Sequence, residues 1–399
     1  MGESLDTQDL LSRGVTKIVD EEHLRARLRR GRPLRVKLGI DPTAVRLHLG
    51  HAVVLQKLRA FQVAGHQAVL VIGDFTAQIG DPTGRDRART ALTPAEVKVN
   101  AKTYLEQVGK ILDLRKTEVR YNNEWLGALH AADVVKLLTT SSIQQLLAHE
   151  TFSARLETGQ PLSAHELLYP LFQGYDSVAI KADLELGGKD QTYNVLAGRD
   201  VQRTYQQEPQ DVMLLDYLIG TDGKQKMSKS VGNTIDLLDE PSEMYGKTMS
   251  IPDKLILSYA SLAANETETT VKQWRAELRK KTTNPRDIKS IVAKHIVALY
   301  HGQSAADEAV NGFSRVHQQK KAPTVMPTIE LRPGAHQLPE LLVSQKIVAS
   351  RSAARRLIEQ GGVRIDRKTI TDWQTPVTIR DGLVIEVGKR RFYRVSLVS

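Results

Sequence analysis

Two short motifs in the sequence combine residue types that can bind phosphate. The first is the run His48-Leu49-Gly50-His51, which lies immediately before a predicted helix. The free backbone N–H groups and positive dipole end of a helix N-terminus favour an anion, and two histidines three residues apart can both reach it. Gly50 leaves room for a flat base to approach the backbone. Taken alone, however, two histidines at a helix start are more often ordinary surface residues.

The second motif is the run Lys226-Met227-Ser228-Lys229-Ser230, within the loop GTDGKQKMSKSVGN. Two lysines three residues apart, among glycines and serines, predict a mobile cationic loop. Such a loop can clamp a pyrophosphate as negative charge develops on it. A solvated basic loop is the usual meaning of a lysine pair, so this motif is also ambiguous by itself.

The elements that must position these motifs predict an α/β fold with a parallel sheet. Residues 34–40 and 69–72 have the apolar pattern of short strands, and residues 51–64 between them have that of a helix ended by Gly65. This strand–helix–strand unit is typical of a parallel sheet, in which ligands bind beyond the carboxyl ends of the strands. Further strand candidates are residues 117–121 and 212–215.

Beyond about Asp236 the pattern becomes helical. Residues 270–281 predict a charged helix, and residues 286–300, with Pro285 at a plausible first position, predict an amphipathic one. The apolar stripe of the second helix comprises Ile288, Ile291, Val292, Ile296 and Leu299. Residues 322–337 carry three prolines, which are typical of a linker. After it, the predicted helices cover 338–346 and 351–360, and the predicted strands cover 363–365, 383–387 and 392–397.

Composition excludes several kinds of chemistry. The 399 residues include no cysteine, which excludes disulfides, thiolate zinc sites, iron–sulfur clusters and a cysteine nucleophile and fits a reducing compartment. The polar N-terminus lacks the apolar core of a signal peptide. The longest apolar runs, such as residues 68–72, fall far short of the ~20 residues of a membrane helix. We therefore expect a soluble cytoplasmic protein that does not span a membrane.

The formal net charge of +10 is concentrated near the C-terminus. Residues 334–399 contain 3 Lys and 9 Arg against 6 Asp and Glu, a net charge of +6, and the first 333 residues carry the other +4. A basic segment on a nearly neutral body favours a polyanionic partner, with nucleic acid first. Solubility alone would explain the charge equally well.

Together, in this order and separated by most of an α/β domain, the two motifs resemble the signatures of class I aminoacyl-tRNA synthetases, with Leu49 in place of isoleucine. The segments GIDPTAVRLHLGH, IGDPTGR, YPLFQGYD and LGGKDQTYN resemble those of bacterial tyrosyl-tRNA synthetases, and this resemblance extends over nearly the whole chain. The C-terminal segment LLVSQKIVASRSAARRLIEQGGVRID is similar to an S4 RNA-binding domain.

The resemblance implies a fold, a set of partners and a reaction. The implied fold is a Rossmann-like parallel-sheet α/β catalytic domain, an α-helical anticodon-side domain and a small α+β S4-like domain, in a homodimer. The expected segments are residues 1–235, 236–325, a linker at 326–337, and 338–399. The implied substrates are L-tyrosine, ATP with Mg²⁺ and tRNA-Tyr, and tyrosine passes through tyrosyl-adenylate to the 3′ end of the tRNA. No tightly bound cofactor and no metal held by protein ligands are expected.

The resemblance also implies the site residues. Tyr169, Gln173 and Asp176 match the family's substrate helix, and their spacing of four and three places them on one helical face. The tyrosine group is completed by Lys37, Asp81 and Gln191. The ATP group comprises Asp41, Thr43, Gly50, Arg89, Asp190, Met227 and Ser228. The candidate catalytic residues are His48, His51, Arg85, Lys226 and Lys229. The RNA-binding group comprises Ser350, Arg351, Ser352, Arg355, Arg356 and Arg364.

The same resemblance assigns individual roles. Asp81 joins Tyr169 and Gln173 in holding the substrate ammonium, and Asp176 accepts a hydrogen bond from the substrate hydroxyl. Asp190 binds the ribose, Gln191 lies near the reacting carboxylate, and the cationic residues surround the pyrophosphate.

Two residues depart from the family pattern. Lys37 stands where the family often has a tyrosine, and it either donates to the substrate phenol or pairs with Asp176. Pro170 lies inside the substrate helix, and because proline is tolerated in a first turn, we expect the helix to begin there with Tyr169 just outside it.

Three alternatives remain at this stage. Tryptophanyl-tRNA synthetases share the fold and both signatures, but they typically have Pro-Thr-Gly before the histidine motif and lack an S4 tail. Here the segment is Asp41-Pro42-Thr43-Ala44 and the tail is present. A paralogue that binds RNA without charging it would be expected to have lost a catalytic motif. A lone nucleotidyltransferase would not explain the S4-like tail.

Overall fold

The computed structural model describes residues 7–43, 45–83, 92–148, 150–317, 326–366, 368–388 and 391–398. The chain divides into two units, Met1–Asp307 and Glu308–Ser399, and each is considered by itself. None of the helices that these described residues form is long and apolar enough to span a membrane.

The first unit contains a six-stranded sheet and most of the helices. Its strands are β1 (Val15–Val19), β2 (Arg35–Ile40), β3 (Gln67–Ile72), β4 (Thr117–Tyr121), β5 (Leu184–Gly188) and β6 (Asp211–Leu215). Its helices are α1 (Thr7–Ser12), α2 (Glu21–Arg29), α3 (Leu49–Val63), α4 (Thr76–Ile79), α5 (Pro94–Val108), α6 (Asn123–Leu126), α7 (Ala131–Leu138), α8 (Ile143–Leu147), α9 (Glu150–Glu157), α10 (Tyr169–Ile180), α11 (Thr192–Thr204), α12 (Pro241–Met249), α13 (Ile256–Leu262), α14 (Glu268–Lys280), α15 (Pro285–His301) and α16 (Gln303–His317), the last of which continues past the unit boundary. Short 3₁₀ helices cover Leu114–Lys116, Ala164–Leu168, Lys189–Gln191 and Asp253–Leu255.

The sheet orders its strands β1-β6-β5-β2-β3-β4, and all neighbours run parallel except β1 and β6. From β2 the chain builds outward to β3 and β4, and it then returns to the other side of β2 to form β5 and β6. The direction of winding therefore reverses between β2 and β5. An open α/β sheet leaves a ligand crevice at such a point, outside the carboxyl ends of the strands.

The predicted strand–helix–strand unit is confirmed as β2, α3 and β3. β3 is buried from its second residue onward, which is the continuous apolar run expected of a central parallel strand. α3 begins at Leu49, two residues earlier than predicted. The histidine motif therefore forms the N-cap and first turn of the helix instead of preceding it.

β1 is an element that the sequence pattern does not predict. It pairs antiparallel with β6 at the edge of the sheet, and all five of its residues are exposed or only half-buried. A strand with one neighbour and this much solvent contact does not need the apolar run that marks β3 and β6.

The change to helices beyond Asp236 is confirmed by α12 to α15. The predicted stripe of α15 is correct at Ile288, Val292 and Ile296, which are buried, but wrong at Ile291 and Leu299, which are 41% and 38% exposed. The buried face is rotated away from Ile291 and Leu299. It instead includes the residue that directly follows each of Ile288, Val292 and Ile296. The packing of the neighbouring helices thus decides which side of the apolar arc is covered.

The second unit is a small α+β fold. Its strands are β7 (Thr328–Leu331), β8 (Gly334–His336), β9 (Val363–Ile365), β10 (Lys368–Ile370), β11 (Val377–Ile379), β12 (Val384–Val387) and β13 (Arg391–Leu397), and its helices are α17 (Leu338–Ser344) and α18 (Arg351–Glu359). One sheet has the order β10-β9-β12-β13-β7, and β11 pairs with β8. The core packs helix residues such as Leu342 and Ile358 together with strand residues such as Val363 and Ile385.

The predicted linker at 326–337 is wrong, because β7 and β8 lie within it. β7 pairs parallel with β13, and its Ile329 and Leu331 belong to the core of the second unit. The run TIEL alternates exposed and buried residues, which is the period of a strand. Pro327 and Pro333 flank this strand without interrupting it, so two of the three prolines that indicated a linker mark its ends; Pro323 lies outside the described residues.

Candidate active site

The crevice at the carboxyl end of β2 brings several predicted site residues together. Asp41 follows β2 directly, and its Oδ2 accepts a hydrogen bond from the Tyr169 hydroxyl at 2.9 Å. Its Oδ1 accepts one from the Thr76 hydroxyl at 2.7 Å. Burial, with the negative charges of Asp81 and Asp176, raises the pKa of Asp41 to about 7. Three carboxylates thus share one pocket, and their joint charge favours a cation.

Asp81 connects this pocket with the segment after β5. Its Oδ2 accepts a hydrogen bond from Gln191 Nε2 at 2.7 Å, and its Oδ1 accepts one from the Thr83 backbone N–H at 2.9 Å. Asn194 in α11 donates to Gln191 Oε1 at 2.9 Å and is fully buried. Asn194 was not predicted as a site residue, although a polar residue three positions after Gln191 in a helix faces the same way as Gln191.

Asp176 is held by two residues that follow β4. Trp125 Nε1 donates to Asp176 Oδ1 at 2.8 Å, and Asn122 Nδ2 donates to Oδ2 at 3.3 Å. Asn122 also donates to the Thr76 hydroxyl at 3.0 Å. Burial raises the pKa of Asp176 to about 7, opposed by the positive charge of Lys37. Asn122 and Trp125 were not predicted as site residues. The sequence feature that could have indicated them is their position just after a strand of the same sheet.

The substrate helix begins one residue earlier than its proline predicts. α10 starts at Tyr169, and Pro170 occupies the first turn, where its missing N–H costs nothing. Tyr169 is therefore inside the helix, which corrects the expectation that it lies just outside. Gln173, one turn later, donates from Nε2 to Glu185 Oε1 at 3.2 Å.

Lys37 does not pair with Asp176, and that part of the prediction is wrong. The Lys37 side chain is fully buried, and its Nζ lies 3.0 Å from Glu185 Oε1 on β5. It also donates to the Gln173 carbonyl at 2.9 Å and to the Ser177 hydroxyl at 2.8 Å. An ammonium group has three N–H donors, so these three acceptors account for all of them and leave none for a substrate phenol.

The histidine motif closes the crevice from the start of α3. The rings of His48 and His51 lie 3.9 Å apart, centroid to centroid. The Leu49 N–H donates to the Ile235 carbonyl at 2.9 Å, which ties the motif to the segment after the lysine motif. A Cβ on Gly50 would lie 3.0 Å from the His48 ring and would crowd it.

Both histidines of the motif are neutral near pH 7. Burial, with the nearby positive charges, lowers the pKa of His48 to about 2 and that of His51 to about 4. A neutral imidazole offers one N–H donor and one acceptor nitrogen. His48 Nδ1 is buried and has no hydrogen-bond partner among the described residues. Neutral histidines can offer hydrogen bonds to a ligand but carry no positive charge themselves.

The lysine motif, which follows β6, supplies cations on the same crevice. Lys226 Nζ forms a 2.6 Å ion pair with Asp190 Oδ2, and Lys229 Nζ donates to the backbone carbonyl of Arg46. Met227 between them is buried. The two lysines thus reach the segment after β5 and the loop before the histidine motif.

For two other predicted residues of the ATP group, Ser228 and Thr43, the structure gives backbone hydrogen bonds. The Ser228 backbone N–H donates to Asn233 Oδ1 at 2.8 Å, and the Thr43 N–H donates to the Asp41 carbonyl at 2.8 Å. Arg85 and Arg89 lie outside the described residues. Within the described ranges, no group of three or more His, Asp and Glu side chains could hold a metal ion.

Five of the predicted RNA-binding residues lie on α18 or at its N-cap, namely Ser350, Arg351, Ser352, Arg355 and Arg356. Ser350 is the N-cap, and its hydroxyl accepts a hydrogen bond from the Ala353 N–H at 3.2 Å. The three arginines are exposed, so α18 presents positive charge to solvent. The sixth residue, Arg364, lies on β9, 3.7 Å from Glu386.

Comparison with known families agrees with this site. The family model of tRNA synthetases class I (W and Y) matches residues 29–318, and the model of the tyrosine–tRNA ligase SYY-like C-terminal domain matches residues 318–395. The first match alone covers more than half of the chain. The chain therefore belongs to the class I tRNA synthetases of the tryptophan and tyrosine type.

Individual relatives narrow the comparison to one amino acid. The tyrosine–tRNA ligase of Moorella thermoacetica is 49% identical over 390 residues, which are 97% of this chain and 94% of the relative. The tyrosine–tRNA ligase of Thermotoga maritima is 48% identical over 387 residues, which are 97% of this chain and 96% of the relative.

Solved structures share the fold at lower identity. The tyrosyl-tRNA synthetase of Archaeoglobus fulgidus, complexed with L-tyrosine, matches with a TM-score of 0.62 at 22% identity, over 76% of this chain and 99% of that chain. Plasmodium falciparum tryptophanyl-tRNA synthetase matches with a TM-score of 0.57 at 15% identity, over 74% of this chain and 84% of that chain. The fold alone therefore does not distinguish the two amino acids.

Proposed function

We propose that this enzyme is a tyrosine–tRNA ligase, which activates L-tyrosine with ATP and transfers it to the 3′ end of tRNA-Tyr. The observation that carries the assignment is the crevice where Asp41, Asp81 and Asp176 meet Tyr169, with the histidine and lysine motifs on its rim. High identity to tyrosine–tRNA ligases over nearly the whole chain supports it.

The acidic pocket suits both ends of the amino acid. The substrate ammonium binds to Asp81, Tyr169 and Gln173, and the substrate hydroxyl donates to Asp176. An ionised carboxylate offers about four acceptor positions, so Asp176 has capacity for a phenol besides its bonds from Trp125 and Asn122. A site built for a hydroxyl rejects phenylalanine, because buried polar groups would then lose a partner.

In the first step, the carboxylate of L-tyrosine attacks the α-phosphorus of ATP. A new P–O bond forms, the bond from the α-phosphorus to the bridging oxygen breaks, and pyrophosphate leaves. The nucleophile is already ionised, so positioning and charge stabilisation are the enzyme's contributions. His48 and Thr43 donate hydrogen bonds to the phosphates, and Arg85, Lys226 and Lys229 neutralise the leaving group. Mg²⁺ enters with ATP as part of the substrate.

The ion pair between Lys226 and Asp190 links nucleotide binding to this clamp. Asp190 is the proposed ribose ligand, and it is occupied here by the Lys226 ammonium at 2.6 Å. A ribose hydroxyl that bonds to Asp190 competes with Lys226. The lysine is then released toward the phosphates, where its charge is needed.

In the second step, a hydroxyl of the terminal adenosine of tRNA attacks the adenylate carbonyl, forming the ester and releasing AMP.

We assign residues 236–325 to the anticodon side and residues 338–399 to RNA binding. The arginines of α18 and the net positive charge of the C-terminal residues support the assignment to RNA binding. Because the reaction consumes tRNA and ATP, we place the enzyme in the cytoplasm.

We also infer a homodimer from the surface of α7 to α9. Four large apolar side chains there are exposed, namely Val135, Leu138, Ile143 and Leu156. Large apolar side chains exposed on three successive helices are candidates for an interaction surface, and most homo-oligomers are two-fold dimers. Sedimentation analysis should give a dimer for the unaltered chain and for Val99→Asp, which changes an exposed valine of α5, but a monomer for Val135→Asp/Ile143→Asp. A monomeric unaltered chain would refute the inference.

The decisive test of the function is ATP–pyrophosphate exchange with each of the twenty amino acids. Exchange with tyrosine alone is expected. Exchange with tryptophan would place the enzyme with the tryptophan-specific members of its class. Folded protein that binds tRNA but exchanges with no amino acid would instead be an RNA-binding paralogue.

A further inference from the structure

A cavity of about 260 Å³ in the second unit is not part of the site described above. It lies between the starts of α17 and α18 and the loop that joins β10 to β11. Trp373 lines it from the loop, and the Arg355 guanidinium lies over the Trp373 ring, 4.0 Å from the ring centroid. Trp373 also packs on the core of this unit, so the stacked pair is fixed to the body of the fold.

The groups around this cavity match the needs of a nucleobase. Bases stack on indole rings and on guanidinium planes. Gln337 and Gln374 also line the cavity, and a glutamine side-chain amide has both donors and an acceptor for a base edge.

A phosphate next to such a base would also find a cation. Arg351 lines the cavity, its side chain is 66% exposed, and it pairs at 3.2 Å with Glu340, whose side chain is 57% exposed. Exposed ion pairs of this kind are weak and readily exchanged, so Arg351 can turn to a backbone phosphate. Residues 334–399 carry the net charge of +6 that attracts a polyanion.

We propose that this cavity binds one unpaired nucleobase of an RNA, stacked on the Arg355–Trp373 pair. The volume is slightly below the roughly 300 Å³ at which pockets for drug-sized ligands begin, and it therefore suits a single base. Double-stranded RNA keeps its bases stacked in the helix, so the ligand is a loop, a bulge or a single-stranded end. The proposal rests on the proposed function in taking tRNA as the natural source of that base.

The test compares variants of the full chain that keep the charge. Arg355→Lys retains the positive charge but removes the stacking plane, and Arg394→Lys is the matched control on β13, outside the cavity. Binding of a short single-stranded RNA should weaken about tenfold or more in Arg355→Lys and stay unchanged in Arg394→Lys. The dependence of affinity on salt should be the same for all three chains, because their charge is equal.

Further arms identify what the cavity reads. An abasic RNA of equal length should bind the unaltered chain and Arg355→Lys equally, and a fully paired duplex should do the same. For the RNA that carries its bases, Trp373→Leu should weaken binding by about the same factor as Arg355→Lys. Equal binding of that RNA by the unaltered chain and Arg355→Lys would overturn the proposal.

Two results separate the remaining possibilities. If AMP displaces the RNA at concentrations comparable with those of the RNA itself, the cavity is a free-nucleotide site and the RNA assignment is refuted. ATP–pyrophosphate exchange by the unaltered chain tests the proposed function independently. If exchange is absent but Arg355→Lys still shows a base-specific loss of RNA binding, the proposed function fails and the cavity proposal stands.

Discussion

The charge of Lys37 is compensated entirely inside the protein. Its three acceptors come from β5 and α10, so one buried ammonium joins the sheet to the helix that carries Gln173 and Asp176. Glu185 extends the same network, because it also accepts hydrogen bonds from Ser177 and Gln210. Lys37 is thus a positioning residue for the proposed tyrosine pocket.

Breaking this buried pair should destabilise the first unit more than removing it altogether. Lys37→Met leaves the Glu185 carboxylate buried without its cation, which costs about 3–5 kcal/mol of unfolding free energy. The double variant Lys37→Met/Glu185→Met should recover most of that loss, since it leaves no unpaired charge. Chemical denaturation followed by intrinsic fluorescence measures both. A double variant as unstable as Lys37→Met would show that the charge pair is not responsible.

Tyrosine binding should depend on pH through two carboxyl groups. The pKa values of Asp41 and Asp176 are about 7 in the empty pocket, and the ammonium and phenol of the substrate both favour the ionised forms. Binding therefore releases protons, and affinity falls as the pH is lowered through 7. Calorimetry between about pH 6 and pH 8, in buffers of different ionisation enthalpy, measures this release. An affinity that is constant over this range would contradict the assignment of these groups to the pocket.

Discrimination between tyrosine and phenylalanine should depend on Asp176. Asp176→Ala removes the acceptor for the substrate hydroxyl, and a hydrogen bond to a charged group is worth about 1.5–3 kcal/mol. The ratio of kcat/KM for tyrosine over phenylalanine should therefore fall more than tenfold. Trp125→Phe removes only a donor to Asp176 and should reduce the ratio less. If the ratio survives in Asp176→Ala, the phenol is recognised by another group.

Among the elements, apolar periodicity predicted those whose burial follows from their own residues. It failed for those whose burial depends on packing against distant parts of the chain. β2, α3 and β3 follow from their own residues, and the histidine motif forms the start of α3. The residues of β1 and β7 only weakly indicate strands, because each strand is completed by pairing with a strand distant in sequence, β6 for β1 and β13 for β7. For the same reason Glu185, Asn122 and Trp125 were missed, since only the strand order brings them beside α10.

The lysine loop is an element whose role should appear in the rate of activation. Lys229 lies on the crevice beside the Arg46 carbonyl and is assigned to the leaving pyrophosphate. Lys229→Ala should lower the exchange rate about 10²-fold or more, as the loss of a transition-state donor does, while tyrosine affinity changes little. Lys224→Ala, which changes an exposed lysine of the same loop, is the control. Equal losses in rate and in tyrosine affinity would refute this role.

At the scale of the whole molecule, chemistry and positive charge are assigned to different units. The described residues of the acidic pocket and both signature motifs belong to Met1–Asp307, whereas residues 334–399 hold more than half of the net charge. On this assignment, we expect adenylate formation to need only the first set. Transfer to tRNA also needs a surface that holds a polyanion, whose affinity comes largely from phosphate contacts.

Removing the second unit should therefore separate the two steps of the reaction. The cut belongs after α16, at His317, and not within residues 326–337, because β7 pairs with β13 and a cut beyond it would leave that strand without its sheet. The shortened chain should retain ATP–pyrophosphate exchange with tyrosine within about twofold, and its kcat/KM for tRNA charging should fall at least tenfold, as expected for the loss of several phosphate contacts. Raising the salt concentration should weaken charging by the full chain more steeply than charging by the shortened one. Unchanged charging by the shortened chain would remove the RNA-binding role from the second unit, and loss of exchange would show that the first unit needs the second to fold.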